Sequence, residues 1–230
     1  MKSVNGDEPA KIVLLGGGGH ASDVLGLLEA ANQRSEKFHV TYICDNQCRA
    51  SRFRNRNVCI VGDIGEVCNS IDLQNTFYVA AVGYPKARMT LARQASYLKL
   101  TPAEALVHPI GVSVGTGVVI GDGTVILANA SISPNAIIGA HCYLSHGSMV
   151  GHDSVIKDGC SIMPGASISG DVTLGERVLV GAGAVVLQGL TIGDDVQIGA
   201  NAVVTKNVSK GTTVIGIPAQ PVGRKTVTYS

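Results

Sequence analysis

Residues Val112–Asn207 read VSVGTG VVIGDG TVILAN ASISPN AIIGAH CYLSHG SMVGHD SVIKDG CSIMPG ASISGD VTLGER VLVGAG AVVLQG LTIGDD VQIGAN AVVTKN, ninety-six residues that divide without a gap into sixteen units of six. The third letter of every unit is Val, Ile or Leu, from Val114, Ile120 and Ile126 through to Ile192, Ile198 and Val204. If such residues fill about a quarter of positions, an unbroken run of this length does not arise by chance. A period of six matches neither a helix nor a simple alternating strand. It matches a solenoid, in which each hexad is a short strand plus a turn and stacked coils bury one continuous core. The third position is then the inward residue of a flat face. The first position (Thr124, Ala130, Ala136, Cys142, Ser148, Ser154, Cys160, Ala166) is mostly small, as an inward corner requires. Gly, Asn and Asp crowd the last three positions, where tight turns need positive φ or side-chain-to-backbone hydrogen bonds. Three faces per coil give a triangular prism with eighteen residues per turn.

Composition bounds the rest. The chain has 230 residues, long enough for one or two domains, and the repeats fill less than half of it. A formal net charge of +1 gives no footprint for nucleic acid or an anionic membrane. Aromatics are 4% and Trp is absent, as expected of a narrow prism filled with Val and Ile. There is no run of eighteen apolar residues, and the start MKSVNGDEPA lacks a signal-peptide core, so the expectation is a cytoplasmic protein without membrane insertion. The cysteines Cys44, Cys48, Cys59, Cys68, Cys142 and Cys160 form no CxxC pair, and no metal site is expected. Cys142 and Cys160 are eighteen apart, one coil, and are expected to stack as buried apolar fillers.

Residues 1–10 are polar and expected to be loose. Lys11–Leu15 (KIVLL) reads as a buried strand running into Gly16, Gly17, Gly18, Gly19 and His20, followed by a helix over Ala21–Asn32. A strand, a glycine loop and a helix N-terminus offer free backbone N–H groups to an anion. Val40–Cys44, Asn57–Val61 and Phe77–Val82 read as further strands, with a helix from Pro85 to Leu98. This alternation predicts a small parallel, Rossmann-like α/β sheet over 1–105, before a repeat domain over 106–230 that includes the tail. Ligands then belong at the carboxyl ends of the strands, which carry Gly16–His20, Asp45, Asn46, Gly83 and Tyr84. Gly16, Gly18 and Ala21 also satisfy a dinucleotide fingerprint, but nothing in the repeats offers hydride chemistry, so a nucleotide's phosphates or ribose suit the loop better.

Three histidines, His141, His146 and His152, fall at turn positions, where a solvated ring is the ordinary expectation. His152 is followed by Asp153, a carboxylate able to fix the imidazole tautomer. One coil later stands Gly170, whose N–H no side chain covers. A base beside a hydrogen-bond donor is what acyl transfer to an amine needs.

The repeats resemble the hexapeptide-repeat superfamily. The chain from Lys11 to Val222 is similar to the nucleotide-amino-sugar N-acetyltransferases of the bacillosamine and perosamine type, and to the related sialic acid O-acetyltransferases. The resemblance rests on the loop Gly16–His20, the strand end at Asp45 and Asn46, the turn at Val82 and Gly83, the unit Val150–Asp153, and the tail Gly216, Ile217, Pro218, Ala219. It implies a left-handed parallel β-helix, an exception to the right-handed crossover rule. It implies a homotrimer with active sites between protomers, acetyl-coenzyme A in the groove between them, and a UDP-, GDP- or dTDP-linked amino sugar held by the N-terminal domain. Carried over by position, His152 would be the general base and Asp153 its modulator. Gly170 would bind the thioester carbonyl, and Ala182 and Ala200 would line the coenzyme track. Gly17, Gly18, Gly19, His20, Asp45, Asn46, Gly83 and Tyr84 would contact the nucleotide sugar. Asp153 stands where other members carry Glu. Ser161, on the coenzyme side, stands where some carry a second histidine.

The expected activity is therefore acetyl-CoA-dependent N-acetylation of a nucleotide-linked amino sugar. Sugar O-acetylation is the nearest alternative, since a hydroxyl needs the same base. A non-catalytic solenoid and a nucleotidyltransferase with a solenoid tail are further alternatives, opposed respectively by the His-Asp pair and by the shortness of the N-terminal part.

Overall fold

The computed structural model describes residues 9–34, 37–46, 53, 58–70 and 75–223. The chain opens with strand β1 (Ala10–Leu15), helix α1 (Gly19–Asn32) and strands β2 (Phe38–Cys44) and β3 (Cys59–Val61). Helix α2 (Ile64–Ser70), strand β4 (Thr76–Ala80), helix α3 (Pro85–Tyr97) and strand β5 (Thr101–Pro102) follow. The five strands form one sheet in the order β3-β2-β1-β4-β5, with every pair parallel. Central β1 is the most apolar strand, and Ile12, Val13, Leu14 and Leu15 are wholly buried, as a parallel strand covered on both faces must be. Val24, Leu25, Leu27 and Leu28 form the buried stripe of α1. Asn32 closes that helix by donating from Nδ2 to Phe38 O at 2.7 Å and accepting from Phe38 N at 3.1 Å.

The expected elements are present with shifted ends. β1, α1 and β2 each start one or two residues earlier, and β4 stops at Ala80 instead of Val82. Helix α2 was not anticipated from the sequence; its one local signal is Asp63, whose Oδ1 accepts from Gly65 N at 2.6 Å. Residues 1–8, the start of the strand expected from Asn57, and Cys48 lie outside the described residues.

The hexad register holds throughout. Sixteen two-residue strands run from β7 (Ser113–Val114) to β22 (Val203–Val204), each on the second and third positions of its unit. Up to the last coil each pairs in parallel with the strand eighteen residues on, as Tyr143–Leu144 does with Ser161–Ile162, and Gln197–Ile198 pairs with Thr213–Val214. Three flat faces result. The first carries eight strands, from β6 (Leu106–Val107) through Val125–Ile126, Tyr143–Leu144, Ser161–Ile162, Leu179–Val180 and Gln197–Ile198 to β23 (Thr213–Ile215) and β24 (Gln220–Val222). The second carries Ser131–Ile132, Met149–Val150 and Ser167–Ile168 among its six, and the third Ile137–Ile138, Val155–Ile156 and Thr173–Leu174 among its five.

Third-position residues from Ile126 to Val204 and small first-position residues such as Ala130, Cys142 and Cys160 fill the interior. Burying each large aliphatic is worth roughly 1.5–3 kcal/mol, so a polar residue in that column would break the stack. Val114 departs from the expectation at 45% exposed, because it lies in the first coil of its face and has no rung beneath it. At the far end β23 and β24 pair antiparallel, and Ala219 N donates to Val203 O at 2.8 Å, folding the tail over the last coil. Cys142 and Cys160 stack as expected, their thiols donating to Lys157 O and Gly175 O.

Among the described residues, the N-terminal domain packs on the first face. Its outward residues Val125 and Tyr143 share a core with Leu14, Leu25 and Val79 of the sheet domain. Arg88 on α3 locks the joint. Its guanidinium is 1% exposed and donates to Val82 O, Gly83 O, His141 O, Gly159 O, Cys160 O and Ser161 Oγ at 2.8–3.2 Å. Burial pulls its pKa down to about 10, so it is still a cation at neutral pH.

Candidate active site

The β1–α1 loop and the loop from Ala81 to Tyr84 leave the carboxyl ends of adjacent strands, where the strand order reverses. Such a reversal opens a crevice in parallel sheets. Gly16 has φ +112, and a Cβ there would lie 2.7 Å from Val82 Cγ2, so the two loops meet only because that residue is glycine. A Cβ on Gly18 or Gly19 would meet open space, which leaves the start of α1 uncovered. Asp45 and Asn46 follow β2 on the same edge, and Asp45 N donates to Val61 O at 2.9 Å.

The prism supplies the floor. His20 lies against Gly83, where any Cβ would run into the imidazole, and its ring is 4.5 Å from that of Tyr143. Tyr143 donates to Asp23 Oδ2 at 2.8 Å. Burial lowers the pKa of His20, with Asp23 opposing and Arg88 assisting. Gln197 Nε2 donates to Tyr84 Oη at 3.2 Å. Thus Gly17, Gly18, Gly19, His20, Gly83 and Tyr84 are brought together at the first face, with Asp45 and Asn46 along the same strand edge.

His152 and Asp153 occupy the turn between the second and third faces. Asp153 has φ +59, and this left-handed turn brings its carboxylate and the neighbouring ring to one side. Nδ1 of His152 is 2.7 Å from Asp153 Oδ2, so the shorter acid reaches the imidazole. His152 first, and then Asn135, holds the Asp153 carboxyl below the ordinary range. Both side chains are more than half exposed, at 56% and 54%. Gly170 stands one coil above; a Cβ on it would come within 2.5 Å of His152 Nε2, so the ring rests over the glycine backbone. With the carboxylate accepting the Nδ1 proton, Nε2 keeps its lone pair and can take a proton from a nucleophile.

Two expectations, for Ser161 and for His141, need correction. Ser161 cannot contact a coenzyme: it is fully buried under the N-terminal domain, donating to Gly83 O at 2.7 Å and accepting from Arg88 Nη2 at 2.9 Å. Ala182 and Ala200 are exposed at the turn between the first and second faces, and Gly170 lies at the turn between the second and third. One chain therefore does not gather these three residues on one track. His141 is not a solvated turn histidine, because α3 covers it; its ring stacks on Tyr78 at 5.8 Å and its Nδ1 is buried without a partner among the described residues. Sequence reasoning also missed Asn135, whose Nδ2 donates to Asp153 Oδ1 at 3.0 Å. The signal was available, since the two residues are eighteen apart and so neighbours in adjacent coils. Among the described residues, no group of three or more His, Cys, Asp and Glu side chains could hold a metal ion, and no helix is long and apolar enough to cross a membrane.

Family models agree with this division. The PglD N-terminal domain matches residues 11–95, the bacterial transferase hexapeptide (six repeats) matches 111–152 and 153–188, and the hexapeptide repeat of succinyl-transferase matches 171–206. No curated protein sequence gives a significant match. Among solved structures, PerB from Caulobacter crescentus in complex with CoA and GDP-perosamine is 29% identical, with a TM-score of 0.80 over 93% of this chain and 97% of that one. The acetyltransferase domain of PglB from Neisseria gonorrhoeae in complex with acetyl coenzyme A is 26% identical, with a TM-score of 0.82 over 94% and 100%. WeeI from Acinetobacter baumannii, at 24% identity and a TM-score of 0.80, shares the fold. Fold and repeats thus define a hexapeptide-repeat transferase built on a left-handed parallel β-helix. Within that class, the chain is similar over more than nine-tenths of its length to the acetyltransferases that PglB and PerB represent.

Proposed function

We propose that the protein transfers the acetyl group of acetyl-coenzyme A to the amine of a nucleotide-linked amino sugar, with His152 as general base. The observation that carries this reading is the His152–Asp153 contact at 2.7 Å, set against Gly170 of the next coil on a chain that also has a glycine-lined crevice. The two similar structures support the substrate classes, since one holds CoA and GDP-perosamine and the other acetyl coenzyme A. The residues fit such ligands. Gly18 and Gly19 leave the start of α1 open to phosphate oxygens, and the Gly170 N–H donates to no backbone carbonyl among the described residues.

The neutral amine attacks the thioester carbonyl carbon and a C–N bond forms. His152 Nε2 takes the surplus amine proton as the tetrahedral adduct forms. Gly170 N–H steadies the oxyanion. The C–S bond then breaks, the departing sulfur receives the proton from His152, and an acetamido sugar and free coenzyme A leave.

The base and the crevice lie on opposite sides of the prism, because the His152 corner is the vertex facing away from the covered first face. A second copy must bring its own His152 to the crevice, which favours a homotrimer with sites between protomers. Exposed Met149 at 51%, Ile137 at 47% and Val119 at 60% flank that corner and suit a subunit contact. Ala182 and Ala200 of one copy can then share a coenzyme track with Gly170 of the next.

The test pairs light scattering for three copies with an assay of free thiol release from acetyl-CoA, using UDP-, GDP- and dTDP-linked amino sugars. His152→Ala should keep the fold and lose about 10²–10⁴ in turnover. Near-normal kcat in that variant would remove His152 from the role.

A further inference from the structure

We infer that Asn135 is a positioning residue for the His152–Asp153 pair, an inference that rests on His152 being the base. Asp153 is 54% exposed, and an exposed acid held by a single contact exchanges that contact with water. Asn135 supplies the second contact. It occupies the sixth position of the hexad one coil below, and its Nδ2 donates to Asp153 Oδ1 at 3.0 Å, which leaves Oδ2 for the imidazole. Chemistry fixes the direction of the amide, since a carboxylate accepts only, so NH2 must face it. The amide oxygen falls over Gly117, where a Cβ would come within 2.8 Å of it.

The backbone makes the two side chains parallel. Asn135 has φ +61 and Asp153 has φ +59, a conformation that Asn and Asp tolerate better than most residues. The turns are tied coil to coil by Asn135 N donating to Thr116 O at 3.0 Å, Asp153 N to Pro134 O at 3.1 Å and Asp171 N to His152 O at 2.8 Å. Gly117, Asn135 and Asp153 thus form a column beneath the ring. Above them the column continues with Asp171, whose carboxylate offers no donor. Asn135 holds the Asp153 carboxylate in the rotation that keeps the proton on Nδ1 and the lone pair on Nε2, facing Gly170. Without it the carboxylate turns toward water and the imidazole samples both tautomers.

The test uses the full chain labelled with 15N-histidine, in wild type, Asn135→Ala and His152→Ala, the last identifying the His152 signals. In wild type the neutral ring should carry its proton on Nδ1. In Asn135→Ala the ring nitrogens should move toward the averaged shifts of a mixed tautomer, while the melting temperature stays within a few degrees. Alongside, kcat for thiol release should fall about tenfold with KM for acetyl-CoA within about twofold, the split expected when a base is misoriented and binding is untouched. His152 signals and kcat unchanged in Asn135→Ala, with His152→Ala inactive, would overturn the inference. Full activity in His152→Ala would instead sink the catalytic reading, and the NMR result would still report whether Asn135 orients the ring.

Discussion

Arg88 Nη2 donates to Ser161 Oγ at 2.9 Å, and the same hydroxyl donates to Gly83 O at 2.7 Å. One serine thus joins helix α3, the Ala81–Tyr84 loop and a coil of the prism. Among the described residues the acceptors of Arg88 are neutral oxygens, so its charge is spread over carbonyl and hydroxyl dipoles. Replacing Arg88 with Met keeps the volume and strands those oxygens in a dry joint. The expected cost is about 3–5 kcal/mol, read from urea unfolding, because each abandoned buried acceptor costs about 1–3 kcal/mol and some keep other partners. KM for the nucleotide sugar should rise as the Gly83 loop loosens. A stability change below about 0.5 kcal/mol would show that the clasp is dispensable.

Gly170→Ala separates the site from the fold. The glycine has no positive φ, so its backbone accepts alanine without strain. The new methyl, however, would lie 2.5 Å from Nε2 and 2.6 Å from Cε1 of His152. The ring is exposed enough to swing aside, so the melting temperature should stay within about 2 °C, while turnover falls at least about tenfold as the base leaves its donor. Unchanged turnover would mean that the ring does not work over Gly170.

The prism was legible because its repeat is a packing constraint: a residue such as Ile156 or Val180 must point inward in every coil, and that necessity writes a period into the sequence. The crevice was legible because Gly16 answers a steric demand. The joint was not. Ser161 and Ser167 are identical residues at the same hexad position, yet one is fully buried and the other partly exposed. Periodicity says that a second-position residue faces out, and nothing in it says which of three outer faces another domain will cover. Arg88 was hidden for the same reason, since five of its six acceptors are backbone oxygens that leave no mark on side-chain chemistry. Asn135 was readable, by the eighteen-residue spacing that also stacks Cys142 on Cys160.

His141 sets an acid limit on the joint between the domains. Its Nδ1 is buried without a partner among the described residues, and Nε2 lies 3.5 Å from Tyr78 Oη. Burial lowers its pKa and Arg88 lowers it further, against Asp158 and Asp122. The folded chain therefore binds this proton less readily than the unfolded chain, whose histidines titrate near about 6.5. Stability from the neutral ring is complete above that value and is lost as pH falls through the depressed folded one. His20 is displaced in the same direction and adds to the slope. The melting temperature should hold from about pH 8 to 7 and decline between about pH 6.5 and 5. The carboxyls of Asp153 and Asp195 are both held below the usual range, so their contribution is lost only in stronger acid. His141→Gln should start lower at neutral pH, because it gives up the stacking on Tyr78, but its decline in this window should be shallower. Calorimetry of both proteins across the range decides it: parallel slopes would leave His20 as the acid-sensitive element in this window.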